Sequence, residues 1–332
     1  MAEVTSSQEP QRVLVLGATG TIGRATVRAL MAAGHHTVCF LRQRTDRAAP
    51  GVLFPEGAVL RFGDVTDPAS LARDGFAGDR FDVLVSCLAS RTGLPEDAWA
   101  IDHRAHAAAL AAAQVAGVRQ MVLLSAICVQ KPKLAFQHAK LAFEAELMNS
   151  GLTYSIVRPT AYFKSLSGQI ERVRAGKPFL VFGDGRLTAC KPISDDDLGR
   201  FIASCITSRD RHNKVLPVGG PGDAITPLQQ GEHLCKLLGK PVKFRHMPVA
   251  LLDAIVLTLS TLGRFSPRLR AKVELAKIGR YYATESMLFW DAAAGRYDAE
   301  ATPSFGTETL FDYYQRAARG EVADDRGAHA VF

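Results

Sequence analysis

"VLVLGATGTIGRATVRAL", residues 13–30, decides the fold. A short apolar run ending in Gly17 reads as a buried strand, and residues with helical spacing begin at Thr21. Three glycines, Gly17, Gly20 and Gly23, fill the junction. A glycine triplet alone says little, but strand, glycine turn and helix in this order form the phosphate-binding corner of a βαβ unit. Gly17 allows the tight turn, Gly20 lets backbone approach a diphosphate, and Gly23 lets the helix lie close to the strand. The N–H groups of Thr21 and Ile22 then point out of the helix's positive end towards phosphate oxygens.

Outward from that corner the pattern repeats. Strands are expected at 12–17, 36–41, 58–62, 81–87, 120–126 and 153–159, with helices near 21–33, 68–75, 97–116 and 133–149. Alternation of this kind predicts an α/β protein with a Rossmann-type, doubly wound parallel sheet. Past Pro159 the elements shorten. "PFLVFGDGRLTACKPIS" (178–194) reads as a hairpin around Gly183-Asp184-Gly185, and Ser194 caps a helix whose first turn carries Asp195, Asp196 and Asp197. The expected organisation is a short leader (1–10), a nucleotide-binding domain (11–160), a smaller mixed substrate lobe (161–319) that lends some elements to the sheet, and a tail (320–332).

Composition narrows the function classes. With 47% hydrophobic and 22% charged residues, the chain of 332 residues is an ordinary globular protein with a sizeable core. Its net charge of +7 suits an anionic ligand or an anionic membrane surface, while a basic stripe with regular aromatics, as nucleic-acid binders carry, is not present. Cysteines at 39, 87, 128, 190, 205 and 235 form no Cys-x-x-Cys pair, which speaks against an iron–sulfur cluster or structural zinc, and no metal site is expected. His103 and His106 stand at helical spacing without acidic or thiol partners and read as polar helix-face residues; the three aspartates read as N-terminal helix charge. "MAEVTSSQEPQ" lacks the features of a targeting segment, so a cytoplasmic location is expected.

The second strand end bears on the cofactor. An NAD enzyme carries a carboxylate there to bind the ribose hydroxyls, but this chain reads "CFLRQR", with Arg42 nineteen residues after Gly23 and Arg44 beside it. Guanidinium groups at that place pair with a 2′-phosphate and favour NADPH. Further on, residues 249–262 are almost wholly apolar, but fourteen residues fall short of the roughly 20 that span a bilayer. The next segment, 264–280, carries six basic residues and one acidic. Together they read either as a cover for a flat hydrophobic ligand or an anchor on an anionic lipid surface, or as a buried core helix with its solvated neighbour.

The glycine turn, Asp64 after the third strand, Ser125 closing the fifth, Lys140 on the following helix and "RPT" (158–160) resemble the extended, atypical short-chain dehydrogenase superfamily over about the first 160 residues. "SAICVQKP" (125–132), "FQHAKLAFEAEL" (136–147), "SIVRPTAYFKSLSGQ" (155–169), "FGDGRLTACKPIS" (182–194), "YATESML" (282–288) and "TPSFGTETL" (302–310) extend the likeness over most of the chain. Together these blocks resemble the NADPH-dependent divinyl chlorophyllide a 8-vinyl reductases of phototrophs. The resemblance implies reduction of a vinyl group on divinyl chlorophyllide a, or its protochlorophyllide precursor, by NADPH.

That reading accounts for an otherwise odd pairing. Short-chain dehydrogenases place a tyrosine four residues before the catalytic lysine, and here that position is Phe136. A vinyl group has no oxygen to protonate, so the phenol is dispensable while Lys140 still orients the nicotinamide ribose. The resemblance further places Asp64 and Val65 beside the adenine and Ser125 and Lys140 at the cofactor. Tyr162 becomes a candidate proton donor alongside Lys140, and Phe136, His138, Phe163, Lys164 and Tyr282 are expected to face the pigment, Lys164 as partner of its propionate. Core packing remains the rival for Phe136 and Tyr282, a satisfied core hydroxyl for Ser125, and water for His138 as axial magnesium ligand. Peripheral contact with the photosynthetic membrane through 249–280 goes with such a substrate. Other readings are a reductase of another conjugated alkene, and a redox sensor that binds NADP without turnover.

Overall fold

The computed structural model describes residues 9–42, 53–262 and 267–322. Arg44 and Arg264 lie outside the described residues. Apolar runs become strands as their sequence dictates: β1 (Arg12–Leu16), β2 (His36–Arg42), β3 (Val59–Gly63), β4 (Val83–Ser86), β5 (Gln120–Leu124), β6 (Thr153–Pro159), β7 (Phe179–Phe182), β8 (Lys214–Val218) and β9 (Phe244–Met247). Seven of them form one sheet in the order β3-β2-β1-β4-β5-β6-β8, with every neighbouring pair parallel. Since the strands run the same way, all their carboxyl ends meet one edge, and the order reverses between β1 and β4, where such sheets open a crevice for ligands.

Two cores cover the faces. On one, Val13, Val15, Cys39, Val83, Val85 and Val122 meet the helices Thr21–Ala32 and Asp195–Ser204. On the other, Leu14, Leu16, Leu84, Met121 and Ile156 meet the helices His106–Val115 and Ala135–Met148. Alternate residues of each strand thus serve opposite layers, as a buried parallel sheet requires.

Residues beyond 160 contribute to this sheet. β8 pairs with β6 and forms the edge, where Pro217, which lacks an N–H, costs no ladder bond on its outer side. The helix Asp195–Ser204 lies so close to Thr21–Ala32 that a Cβ on Gly199 would sit 2.6 Å from the Ala25 carbonyl carbon. Asp197 clasps a later segment: its carboxylate accepts from the Ser194 hydroxyl (2.9 Å) and from the backbone N–H of Thr307 and Glu308, and pairs with Arg200.

The expected hairpin around Gly183-Asp184-Gly185 is corrected. The turn exists, with Gly183 and Gly185 at φ +58° and +80°, but β7 pairs in parallel with β9 and not with the residues after the turn. The cause is the helix Pro227–Leu237, whose Leu228 N–H donates to the Gly185 carbonyl (3.0 Å) and whose Gly231 lies against the rings of Phe179 and Phe244. That packing draws in a strand from further along the chain, and Cys190 turns away to bridge Ile225 and Met287.

The helices Val249–Leu262 and Pro267–Thr284 lie against each other. The second docks on the body through Val273, Ile278 and Tyr281. The first is no buried core helix: none of residues 249–261 is buried, and Leu251, Ile255 and Leu257 are 42%, 39% and 68% exposed. No described helix is long and apolar enough to cross a membrane.

Candidate cofactor and catalytic site

The glycine corner is built as its residues require. Gly17 has φ +73°, and a Cβ there would lie 2.6 Å from the Cys87 carbonyl, so both backbone angle and space demand glycine. A Cβ on Gly23 would stand 2.2 Å from the Gly17 carbonyl oxygen. At Gly20 the same atom would meet only that oxygen, at 3.4 Å, and would otherwise project over the exposed turn. A side chain there would fill the cradle that a diphosphate takes. The helix Thr21–Ala32 begins directly beyond, with no side-chain cap on its first N–H groups, so its amide donors and positive end suit phosphate oxygens.

Arg42 is exposed at the end of β2, in register with Gly63 of β3. Asp64 follows; its carboxylate accepts from the Thr66 N–H (2.9 Å) and hydroxyl (2.7 Å), bonds that, with Arg42 nearby, hold its pKa below the usual carboxylate range. Val65 turns the other way and is buried beneath the sheet's second face.

Lys140 occupies the crevice side of the helix Ala135–Met148 and is largely buried. Its Nζ donates to Asp102 Oδ1 at 2.9 Å, and Asp102, fully buried, also accepts from the Ser90 N–H (3.2 Å). The second oxygen, Oδ2, is buried without a partner. Asp102 projects from a widened, π-type turn, Trp99–Ala105, of the kind often found where a helix serves a site. One turn on, His106 does not lie on a polar helix face as expected. It is 1% exposed, stacks on Phe143 (centroids 4.8 Å apart) and bonds the Ser86 hydroxyl (2.8 Å) and the Ile101 carbonyl (2.9 Å). Burial, reinforced by the Lys140 charge, lowers its pKa to about 4, so it is neutral at physiological pH. His103 instead pairs with Glu146 at the surface (2.7 Å).

Ser125 lines the same small cavity as Lys140, Asp102 and His106. Its hydroxyl donates to Glu144, which Arg158 holds in a two-point ion pair. The hydroxyl is therefore satisfied by the core. Phe136 is 9% exposed and packs with Ile127, Leu134, Ile278 and Tyr281, where a phenol would otherwise be sought. His138 is exposed on the same helix.

The stretch after β6 brings three of the expected residues to different places. Tyr162, partly buried, packs against the same core as Cys87, and burial above all raises its pKa, so the phenol keeps its proton. Phe163 belongs to the lobe's core with Phe179, Leu234 and Tyr314. Lys164 reaches back to the first turn of the nucleotide helix, donating to Thr21 Oγ1 at 3.3 Å. Tyr282, 38% exposed, directs its hydroxyl to Cys128 Sγ (3.9 Å), and burial of that hydroxyl raises its pKa. Tyr162 lies near enough to add to that rise. Among the described residues no group of three metal-ligating side chains occurs.

Residues 17–209 match a family described as NAD(P)H-binding. A chloroplastic divinyl chlorophyllide a 8-vinyl-reductase of Zea mays is 48% identical over 96% of this chain and 82% of its own length. The chain belongs to the divinyl chlorophyllide a 8-vinyl-reductase family. The family member from Arabidopsis thaliana is 46% identical over 94% of this chain and 78% of its own. Among solved structures, an NADPH-dependent quinone oxidoreductase from Escherichia coli superposes with TM-score 0.65 at 19% identity, covering 93% of this chain and 99% of that one. At that identity the likeness concerns the fold.

For this 8-vinyl-reductase family member the nicotinamide cofactor is thus established, and the glycine cradle fits it. Asp102 and His106 are the residues that the sequence did not single out as site neighbours. The signal was there, an aspartate and a histidine one helical turn apart ahead of the lysine helix, but its meaning depends on a pairing across thirty-eight residues.

Proposed function

We propose that the chain reduces the C8 vinyl group of divinyl chlorophyllide a, or of its protochlorophyllide precursor, to ethyl, with NADPH as reductant. The observation that carries this reading is 48% identity over 96% of the chain to a protein of that activity. The buried phenylalanine at 136, where carbonyl chemistry needs an acid, supports it. Arg42 at the end of β2, with Asp64 already engaged by Thr66, supports NADPH over NADH. Nothing in the site favours another alkene or a sensor without turnover.

When bound, NADPH would supply a hydride for the terminal vinyl carbon, and the conjugated macrocycle could take up the charge developing on the adjacent carbon. Lys140, anchored by Asp102, would hold the nicotinamide ribose hydroxyls and so fix the face that is presented. Neutral His106 behind the pair adds no competing charge. The proton that completes the ethyl group comes from Tyr162, whose phenol stays protonated beside the crevice and recovers its proton from solvent. Cys87 and Cys128 stay as thiols because burial raises their pKa, to about 11 for Cys87.

The exposed apolar helix Val249–Leu262, flanked by exposed Arg270 and Lys272 on its neighbour, lies peripherally on an anionic membrane surface where the pigment resides. Leu251→Asp/Leu257→Asp should abolish co-sedimentation with anionic vesicles and leave NADPH affinity unchanged; equal loss of both sinks the contact. The reaction itself is tested anaerobically with NADPH and 3,8-divinyl chlorophyllide a. Monovinyl product with NADPH alone is expected, and its absence while NADPH still binds overturns the reading.

A further inference from the structure

Lys164 is an under-partnered cation at a phosphate site. A lysine ammonium carries three donors. Among the described residues this one makes a single hydrogen bond, to Thr21 Oγ1 at 3.3 Å, and no ion pair. It is partly buried, so it cannot hydrate as a surface lysine does. Asp195, whose ionisation Lys164 influences, does not close the gap, for Asp195 Oδ1 is itself buried without a partner. The neighbouring Asp196 is already taken by Arg28.

Three features converge on the same small volume: the open face of Gly20, the uncapped amides at the start of the helix Thr21–Ala32, and the Lys164 ammonium. The amides come from the start of the helix and the lysine from the segment after β6. Phosphate oxygens placed between them would receive donors from both, and Thr21 Oγ1 marks how near the ammonium already comes.

We propose that Lys164 binds the nucleotide diphosphate of the cofactor and closes the glycine cradle from the lobe side, and that it is not the partner of the pigment's propionate. The proposal deepens the nicotinamide site and does not depend on which alkene is reduced. It also ties cofactor binding to the lobe, because Lys164 lies in the short helix Phe163–Leu166, whose Phe163 is rooted in the lobe's core.

The test uses the full chain, with Lys164→Ala and Lys164→Arg, and calorimetric titration with three probes: NADPH, 2′-phospho-ADP-ribose, which keeps the diphosphate, and 2′-phosphoadenosine, which lacks it. Loss of one charge-assisted contact predicts about 10- to 100-fold weaker binding of the first two to the alanine variant. Binding of 2′-phosphoadenosine should not change, and arginine should restore most of the loss. Pigment affinity, measured by absorbance titration without NADPH, should stay at the wild-type value. Unchanged NADPH affinity overturns the proposal. So does equal weakening of all three nucleotides, or weakened pigment binding with NADPH affinity intact, which returns Lys164 to the propionate. None of these readouts requires turnover, so a failed vinyl reduction would leave the result intact.

Discussion

Replacing Lys140 with methionine tests the buried Lys140–Asp102 pair and the role proposed for it, and its stability cost has to be known before any loss of turnover is interpreted. Lys140 and Asp102 meet at 2.9 Å with side-chain exposures of 11% and 0%. Removing one member of a buried ion pair leaves the other charged and dry, which costs about 3–5 kcal/mol. Lys140→Met should fall in that range, since Asp102 keeps only the Ser90 N–H (3.2 Å) and already has one oxygen without a partner. Adding Asp102→Asn removes the stranded charge while leaving an oxygen for Ser90. The double variant should therefore be only about 1–2 kcal/mol less stable than wild type, the cost of an imperfectly bonded buried amide. Urea denaturation followed by circular dichroism gives the three values, and turnover is then measured on the stable double variant. We expect stability to return and vinyl reduction to stay lost. A single variant that costs under about 1 kcal/mol, or a double variant no more stable than the single, would refute a buried, coupled pair. Wild-type turnover in the double variant would refute the positioning role of Lys140.

Two further predictions have opposite pH signs. His106, lowered to about 4 from 6.5, binds a proton more readily in the unfolded chain; its contribution to stability is present above pH 6.5 and is lost as pH falls through 4, by about 3 kcal/mol in total. His106→Gln should flatten the acid limb of a stability–pH curve, and an unaltered limb would contradict its burial as a neutral ring. Asp195, raised to about 6 by burial and by Asp196, costs stability when ionised; the cost is absent below pH 4 and complete above pH 6. Asp195→Asn should raise stability by about 1–2 kcal/mol at pH 7, after discounting for partial solvation, and by nothing at pH 3.5. Gly23→Ala places a Cβ 2.2 Å from the Gly17 oxygen, so it should displace the helix, lower the melting temperature and abolish measurable NADPH binding. Normal binding by the alanine variant would show that the corner yields more than close packing allows.

What was legible in the sequence was local. The strands β1 to β6 and the glycine corner follow from apolar runs and from steric demands that only glycine meets. β8 was not legible, because "KVLPV" contains the proline that argues against a strand, and only its place at the sheet's edge makes Pro217 tolerable. The hairpin misled because two glycines define a turn but not the partner strand, which the packing of Gly231 on Phe179 and Phe244 selects. Around Lys140, which the sequence singled out, Asp102 and His106 were hidden. Their roles come from burial and from one hydrogen bond to a distant helix, quantities that spacing does not carry. For Lys164 the sequence offered no partner within the protein, and the contact with Thr21 arises only when the helix Phe163–Leu166 is brought to the glycine corner.

The path of the chain through the sheet also limits how such a protein can diversify. Residues 195–204 cover the nucleotide helix and 214–218 finish the sheet, although both are encoded after the lobe has begun. A gene fragment ending at residue 160 would leave one face of the first helix and one edge of β6 without their covers. The residues beyond 160 therefore cannot be exchanged as a cassette. New substrate preferences on this scaffold must arise by insertions or substitutions between elements that stay fixed, and the exposed helix Val249–Leu262, held to the body through its neighbour, is the part most open to such change.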